Sequence, residues 1–533
     1  MKNKPYPLYS LPAISDLKDM VNRRAENTPN EISFSYSEKK NKTVSKTCRE
    51  FADDINALGT YLFHNGFKGK HIAIIGENSY EWLTAFLAIV NGGNIAVPID
   101  KELPKEKVGE LLRQSDCKAV FISKNYMDLV CDNEELTLFS MADFNKYISV
   151  GKLLIKNGNN EYTDFKIDVN QCTAIFFTSG TTGQSKGVCL SQKNMVYNIC
   201  ETRKYDCING CVLSVLPYHH AFGLIIGVFS VYCFGSIVYV NKSLKRLSTD
   251  IQIAKPTAIA LVPLYIETFY KTILDTANKN GKIKKLKRAV KISHVLLSVG
   301  IDLRPKIFAS IQSFFGGNLR YIVCGGAALD IKYVKAFREW GINILNGYGI
   351  TECSPVVSVN RNYYWRDGSV GQVLCGCEVK IAEDKEILIK GDNVMLGYYK
   401  DERATKSVLH DGWYHTGDLG YTDKDNFLFI TGRKKNLIIL SNGENVSPEE
   451  LEMLIMRDSA VEEVLVYGED KVITAEIYPT QEYVDNREYF DLLINGINSG
   501  QPQYKQISRI KLRSKEFEKN SSKKILRYKV TED

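Results

Sequence analysis

The sequence predicts an α/β protein. It should have a large N-terminal domain of parallel α/β sheets with a small β subdomain, followed by a small mobile α+β C-terminal domain. Three observations predict this. Short apolar runs at 71–75, 94–98 and 119–122 alternate with longer amphipathic stretches, the rhythm of strand and crossover helix. From about Glu378 the texture changes to short alternating strands such as Glu386-Ile387-Leu388-Ile389-Lys390. Beyond Thr431-Gly432-Arg433-Lys434-Lys435 about a hundred residues remain, the size of a small independent domain. The expected domains are therefore 1–432 and 433–533.

In chain order, residues 18–34 read as a helix running into the extended piece Ile32-Ser33-Phe34-Ser35-Tyr36. A helix is expected over 47–65, then a strand at 71–75 closed by Gly76, and a helix through Trp82 and Phe86. A strand at 94–98, a helix over 105–114 and a strand at 119–122 follow. Ala174-Ile175-Phe176-Phe177 reads as the end of a buried strand, and Ser191-Gln192-Lys193-Asn194 as the polar start of a helix. The uncharged stretch 221–240 is long enough to cross a membrane. Gly235-Ser236 divides it, however, so a core helix followed by a buried strand is expected. Further strands are expected at 258–263, 295–298 and 319–323.

Composition bounds the function. The 533 residues are 44% hydrophobic, enough for a sizeable core, and a net charge of +7 is too small for this length to imply nucleic acid. Two clusters are locally basic. Residues 279–291 hold seven Lys/Arg without an acid or an aromatic, and 505–529 is also rich in Lys/Arg; both read as solvated helix faces or loops. At most a peripheral membrane contact is expected. Thirteen cysteines without a regular framework, and a first ten residues without an apolar signal core, fit a cytoplasmic protein. The close pairs Cys207/Cys211 and Cys375/Cys377 lack a second pair at zinc spacing.

The stretch that organises the chain is Phe176-Phe177-Thr178-Ser179-Gly180-Thr181-Thr182-Gly183-Gln184-Ser185-Lys186-Gly187-Val188. Gly180, Gly183 and Gly187 are expected to take positive φ and present successive N–H groups to an anion. Thr178, Ser179, Thr181 and Thr182 add hydroxyl donors, and Lys186 adds a positive charge on a flexible stem. The set suits a polyphosphate but lacks the Gly-x-x-x-x-Gly-Lys-Ser/Thr spacing of a Walker loop. Composition alone leaves a flexible linker equally open. The string TSGTTGQSKGV resembles the phosphate loop of the adenylate-forming superfamily, which includes acyl-CoA synthetases, luciferases and peptide-synthetase adenylation domains.

The resemblance extends along nearly the whole chain. Gly325-Gly326-Ala327-Ala328 ends an apolar run, and the resemblance implies that Gly326, Ala327 and Ala328 wall an adenine slot. Asn346-Gly347-Tyr348-Gly349-Ile350-Thr351-Glu352 is implied to place Tyr348 on adenine, Thr351 on the α-phosphate and Glu352 on Mg²⁺. Asp418, in Trp413-Tyr414-His415-Thr416-Gly417-Asp418, falls where the superfamily has a carboxylate for both ribose hydroxyls. Arg433 falls at a second ribose contact and Lys435 at a hinge. Phe517-Glu518-Lys519-Asn520-Ser521-Ser522-Lys523-Lys524-Ile525-Leu526-Arg527 resembles the last motif, although Glu518 replaces a proline and Lys523 a glycine. Lys524 is implied to bridge the attacking carboxylate and the α-phosphate.

The acceptor and the acid follow the same way. Leu216-Pro217-Tyr218-His219-His220-Ala221-Phe222-Gly223 resembles the motif lining the acyl site, implying His220, Phe222, Gly223 and Gly325 as substrate contacts. No Asp or Glu lies between Cys207 and Thr249, where amino-acid-activating relatives pair the substrate ammonium. With the apolar Leu224, Ile225, Ile226, Val228 and Phe229 nearby, a fatty acid is expected. Gly368-Ser369-Val370-Gly371-Gln372-Val373 and 391–399 look like the bacterial long-chain fatty-acid–CoA ligases. Gly443 and Glu444 are implied to border a coenzyme A channel. The expected partners are ATP, a carboxylic acid and coenzyme A, in a monomer or homodimer. An acyl carrier protein as acceptor, an aryl acid as substrate, and a non-enzymatic nucleotide-binding scaffold are the alternatives.

Overall fold

A computed structural model describes residues 3–39, 42–130, 136–179, 185–440, 444–470, 472–484, 486–519 and 525–531, the side chains of Lys39, Ser179, Tyr528 and Thr531 excepted. The chain divides into two compact units: residues 1–378 with 390–412, and residues 379–389 with 413–533.

Two sheets build the first unit. Among the described residues the larger runs Gln372–Val373, Val356–Val359, Asn343–Gly349, Tyr321–Cys324, Ala258–Leu261, Cys211–Ser214, Ile237–Val240, Ile32–Lys39, Lys42–Thr47. Its middle is parallel and its margins are antiparallel. The second sheet runs Gly397–Tyr398, Ser185–Ser191, Cys172–Ser179, Ile95–Pro98, His71–Ile75, Ala119–Ile122, Thr137–Ser140. It is parallel from Cys172–Ser179 to Thr137–Ser140 and antiparallel at the other side.

The strands of the second sheet are near-continuous apolar runs because they are covered on both faces. Ile72, Ala73, Ile74 and Ile75 are all buried, as are Ala119, Val120, Phe121 and Ile122. Parallel neighbours need crossover connections, and the helices Tyr80–Val90 and Lys105–Gln114 supply them here. The helix Cys48–His64 starts in a reciprocal cap: Glu50 N donates to the Thr47 hydroxyl at 3.1 Å, and Thr47 N donates to the Glu50 carboxylate at 2.8 Å.

The stretch 221–240 folds as a π-helix, Phe222–Ser230, continues through Val231–Cys233, and ends in the strand Ile237–Val240. No helix among the described residues is long and apolar enough to cross a membrane. One expected strand is absent: residues 295–298 belong to the helix Ile283–Ser298. A run of four apolar residues fits either state, and here Leu286, Ala289 and Val290 pack a helical face onto the core.

The second unit contains the antiparallel strands Glu386–Lys390, Trp413–Thr422 and Leu428–Arg433. It also holds a sheet of Val461–Glu469, Val472–Pro479 and Arg509–Leu512 with the helices Pro448–Ile455 and Arg487–Ser499. Leu451, Val464, Val466, Ala475, Ile477, Phe490 and Ile494 form its core. The boundary expected at 432/433 falls on the last residues of Leu428–Arg433, inside this unit.

Candidate active site

The described residues of the phosphate-loop motif lie on two paired strands. Cys172–Ser179 and Ser185–Ser191 pair antiparallel, with Thr178 opposite Lys186 and Ser179 opposite Ser185. Gly180, Thr181, Thr182 and Gly183 lie outside the described residues. Lys186 therefore rides on a strand, and the helix begins only at Gln192, behind a Ser191–Asn194 cap. The apolar run Val188-Cys189-Leu190 is the sequence signal for this strand. The positive φ expected at Gly187 is not found, because the residue is part of the sheet. Glycine is needed there for space: a Cβ would stand 2.8 Å from Ile175 Cγ2.

The same strand receives Gly397–Tyr398 on its other edge, with Tyr398 opposite Val188, and Tyr399 N donates to Gly187 O at 2.7 Å. This pairing sets Tyr398 between two residues from separate motifs. Lys186 Nζ lies 4.8 Å from the Tyr398 ring centroid, and the Tyr398 hydroxyl donates to Glu352 Oε1 at 2.9 Å. Met395 N donates to the Glu352 backbone carbonyl at 2.8 Å, fixing the same turn. Tyr398 is not among the residues expected at the site. Its sequence neighbourhood marks a turn, and only the strand pairing brings it to Lys186.

Tyr321–Cys324 runs parallel to Asn343–Gly349, with Cys324 beside Asn346. The two Gly-containing motifs that follow therefore end side by side. A Cβ at Gly325 would lie 3.5 Å from the Phe222 ring and 3.7 Å from Gly347 O, so the implied acyl and adenine residues adjoin. Gly326 takes a φ of 88°, and Gly326, Ala327 and Ala328 are exposed, a flat wall without bulky side chains. Gly347, Tyr348, Gly349, Thr351 and Glu352 are half-buried. The Asn346 Oδ1 atom is buried with no hydrogen-bond partner among the described residues, an acceptor that an exocyclic amine would satisfy.

On the acyl side, Gly223 is buried in the π-helix while Phe222 and His220 are half-buried. The His219 and His220 rings lie 4.3 Å apart between centroids, and His219 Nε2 is 3.6 Å from Asp100 Oδ1. Burial, with His220 and Lys101 nearby, holds His219 well below the usual imidazole range, so it is neutral. Among the described residues no group of three or more His, Cys, Asp or Glu could hold a metal ion. A magnesium ion shared with substrate phosphates needs only one or two protein carboxylates. Glu352, oriented by Tyr398, fits that requirement.

In the second unit, Asp418 is only 3% exposed and sits opposite Arg433 across two antiparallel strands. Arg433 Nε donates to Asp418 Oδ1 at 2.7 Å. The turn before Asp418 is held by Gly417 N donating to Glu386 Oε1 at 2.9 Å and by Asp418 N donating to the Thr416 hydroxyl at 3.0 Å. Lys434 Nζ donates to Glu386 Oε2 at 3.1 Å. The buried Glu386, which no sequence motif singles out, thus anchors the segment on both sides. Lys435 is exposed in the turn Lys434–Asn436, and Glu444 is exposed. Gly443 and Lys524 lie outside the described residues.

Two family models match the chain, on either side of residues 400–434. One described as AMP-binding enzyme matches residues 21–399, and one described as AMP-binding enzyme C-terminal domain matches 435–533. The chain belongs to the AMP-binding enzyme family. It is 28% identical over 457 residues to the long-chain-fatty-acid–CoA ligase FadD15 of Mycobacterium bovis, covering 80% of this chain and 75% of the relative. It is 27% identical over 533 residues to the long-chain-fatty-acid–[acyl-carrier-protein] ligase AEE15 of Arabidopsis thaliana, covering 83% and 72%. Among solved structures, the o-succinylbenzoate coenzyme A synthetase of Bacillus subtilis, in complex with ATP and magnesium ion, superposes with a TM-score of 0.73 at 22% identity. That match covers 96% of this chain and 99% of the other, and it establishes a shared fold.

Proposed function

We propose that the protein activates a medium- or long-chain fatty acid with ATP and transfers the acyl group to coenzyme A. The observation that carries the proposal is the meeting of Lys186 and Glu352 on Tyr398, which brings the lysine proposed for the phosphates near the carboxylate proposed for the metal. The apolar π-helix beside Gly325 supports a hydrocarbon substrate, as do the names of the relatives.

In the first half-reaction a carboxylate oxygen attacks the α-phosphorus, forming acyl-AMP as the bond to pyrophosphate breaks. Lys186, with Thr178, Ser179, Gly180, Thr181, Thr182 and Gly183, neutralises and holds the polyphosphate. Tyr348 stacks on adenine against Gly326, Ala327 and Ala328, and Asn346 Oδ1 accepts from the adenine amine. Thr351 donates to the α-phosphate, and Asp418 with Arg433 holds the ribose hydroxyls. A magnesium ion at Glu352, when bound, supplies further charge neutralisation on the phosphate oxygens. Lys524 stands between the two anions that must meet. In the second half-reaction the C-terminal part turns at Lys435 and brings Gly443 and Glu444 to the pantetheine. The thiol then attacks the acyl carbon, forming the thioester and releasing AMP.

A carrier-protein phosphopantetheine as acceptor is the second reading, supported by the relative named for that reaction. The proposal places the protein in the cytoplasm as a monomer or homodimer. The test is AMP release with ATP, Mg²⁺ and a panel of fatty and aromatic acids, with and without coenzyme A. AMP formed with a medium or long fatty acid only in the presence of coenzyme A is expected. Pyrophosphate exchange without turnover on coenzyme A would transfer the proposal to the carrier protein, and no exchange with any acid would refute it.

A further inference from the structure

The basic cluster at 279–291 lies mainly on the helix Ile283–Ser298, and the structure resolves what it is attached to. From Thr276 to Ile301 the chain has no Asp or Glu, and it carries Lys279, Lys282, Lys284, Lys285, Lys287, Arg288 and Lys291. One face of the helix is committed: Ser293 is buried, and Leu286, Ala289 and Val290 pack on the core. At 100° per residue, Lys284, Arg288, Lys291, Val295 and Val299 follow one another along the opposite side. Sequence alone marks this side as merely solvated, but its second half is aliphatic. Ile292 is 56% exposed, Val295 67% and Val299 68%, and the chain continues through the exposed Ile301 and Leu303. None of the six cationic side chains from Lys282 to Lys291 has an ion-pair partner among the described residues.

We infer that this helix and the turn after it dock the protein on an anionic lipid surface. Uncompensated Lys and Arg meet the headgroup charge while Ile292, Val295, Val299 and Ile301 enter the acyl boundary, the arrangement of an interfacial amphipathic helix. A second copy is a poor occupant, because a two-fold contact would face the same lysines against one another. A nucleic acid would satisfy the cations and leave four aliphatic side chains in water without a stacking aromatic. The inference stands apart from the acyl-CoA reading, since it rests on a surface outside the site. If both hold, the lipid surface is where the acid substrate is collected.

The experiment is co-flotation of the full-length protein with vesicles of phosphatidylcholine alone, and with a third of phosphatidylglycerol, at low and physiological salt. The protein should float with the mixed vesicles and much less with the neutral ones. The Lys284→Gln/Arg288→Gln/Lys291→Gln variant should bind roughly a hundredfold more weakly, at about fivefold for each basic residue. The Ile292→Ser/Val295→Ser/Val299→Ser variant should lose the salt-resistant part of binding. All six side chains point outward, and circular dichroism with AMP binding checks that both variants fold. Equal flotation with neutral and mixed vesicles, or wild-type binding by both variants, would overturn the inference. So would a dimer that the serine variant disperses, or tighter capture of single-stranded RNA that the serine variant leaves unchanged. None of these readouts depends on turnover, so failure here is distinct from failure of the ligase proposal.

Discussion

Replacing Tyr398 with phenylalanine removes one oxygen and leaves the ring over Lys186 in place. The lost group is the hydroxyl that donates to Glu352 Oε1 at 2.9 Å. A hydrogen bond to a charged acceptor contributes about 1.5–3 kcal/mol, and the half exposure of Glu352 reduces that to roughly 1–2 kcal/mol. If the carboxylate then turns away from its proposed metal-binding orientation, adenylation should fall by about 5- to 30-fold. The assay is acid-dependent pyrophosphate exchange titrated with magnesium. Tyr398→Phe should raise the half-saturating magnesium concentration and leave the binding of AMP without magnesium unchanged. Tyr398→Leu also removes the π-face from Lys186, worth a further ~0.5–1 kcal/mol, and should add a two- to fivefold rise in KM for ATP. If Tyr398→Phe behaves as wild type across the titration, the tyrosine only packs the hairpin and the reasoning fails. It fails equally if the two variants are indistinguishable.

Two further outcomes follow from the geometry. Asp418→Asn removes a buried charge that pairs with a 44%-exposed Arg433, so screening limits the stability loss to about 1 kcal/mol. KM for ATP should nonetheless rise at least about tenfold, because one ribose acceptor becomes a donor. A large fall in urea midpoint with unchanged KM would reverse that assignment. His219 is held neutral by burial, with His220 and Lys101 adding to the effect, whereas the unfolded imidazole titrates near 6.5. Its contribution is fully present above that pH and is lost as pH falls toward the depressed folded value, since the unfolded chain binds the extra proton. Urea midpoints from pH 7.5 to 5 should therefore fall more steeply for wild type than for His219→Gln, by at most about 1.4 kcal/mol per pH unit. Parallel curves would show that His219 protonates in the fold.

Much of the candidate site was legible because its motifs are local. A glycine, hydroxyl and lysine string, a Gly-Gly-Ala-Ala turn and a Tyr-Gly-Ile-Thr-Glu segment each carry the family resemblance in one contiguous stretch, and the resemblance implies their roles. The apolar runs at 71–75 and 119–122 identified strands for a similar reason, since strands covered on both faces need no alternation. Where the local signal was ambiguous the expectation failed. The run at 295–298 is helical because the preceding turns already face the core, and Gly187 is extended because it pairs with Phe177 across the two strands, with glycine needed there because Ile175 leaves no room for a Cβ.

The sequence by itself determined the α/β class and the family motifs, from which the nucleotide residues are proposed, all written in short contiguous stretches. Only the tertiary structure decided which stretches meet. Cys211–Ser214 lies between Ile237–Val240 and Ala258–Leu261, Phe222 lies against Gly325, and Tyr398 joins Lys186 to Glu352. Strand order and cross-strand register are set by the packing of whole faces, and no residue carries a local mark of its distant neighbour. The outward side of Ile283–Ser298 was hidden for the same reason. Its lysines are plain in the sequence, but the exposure of the valines beside them depends on which face the core had already taken.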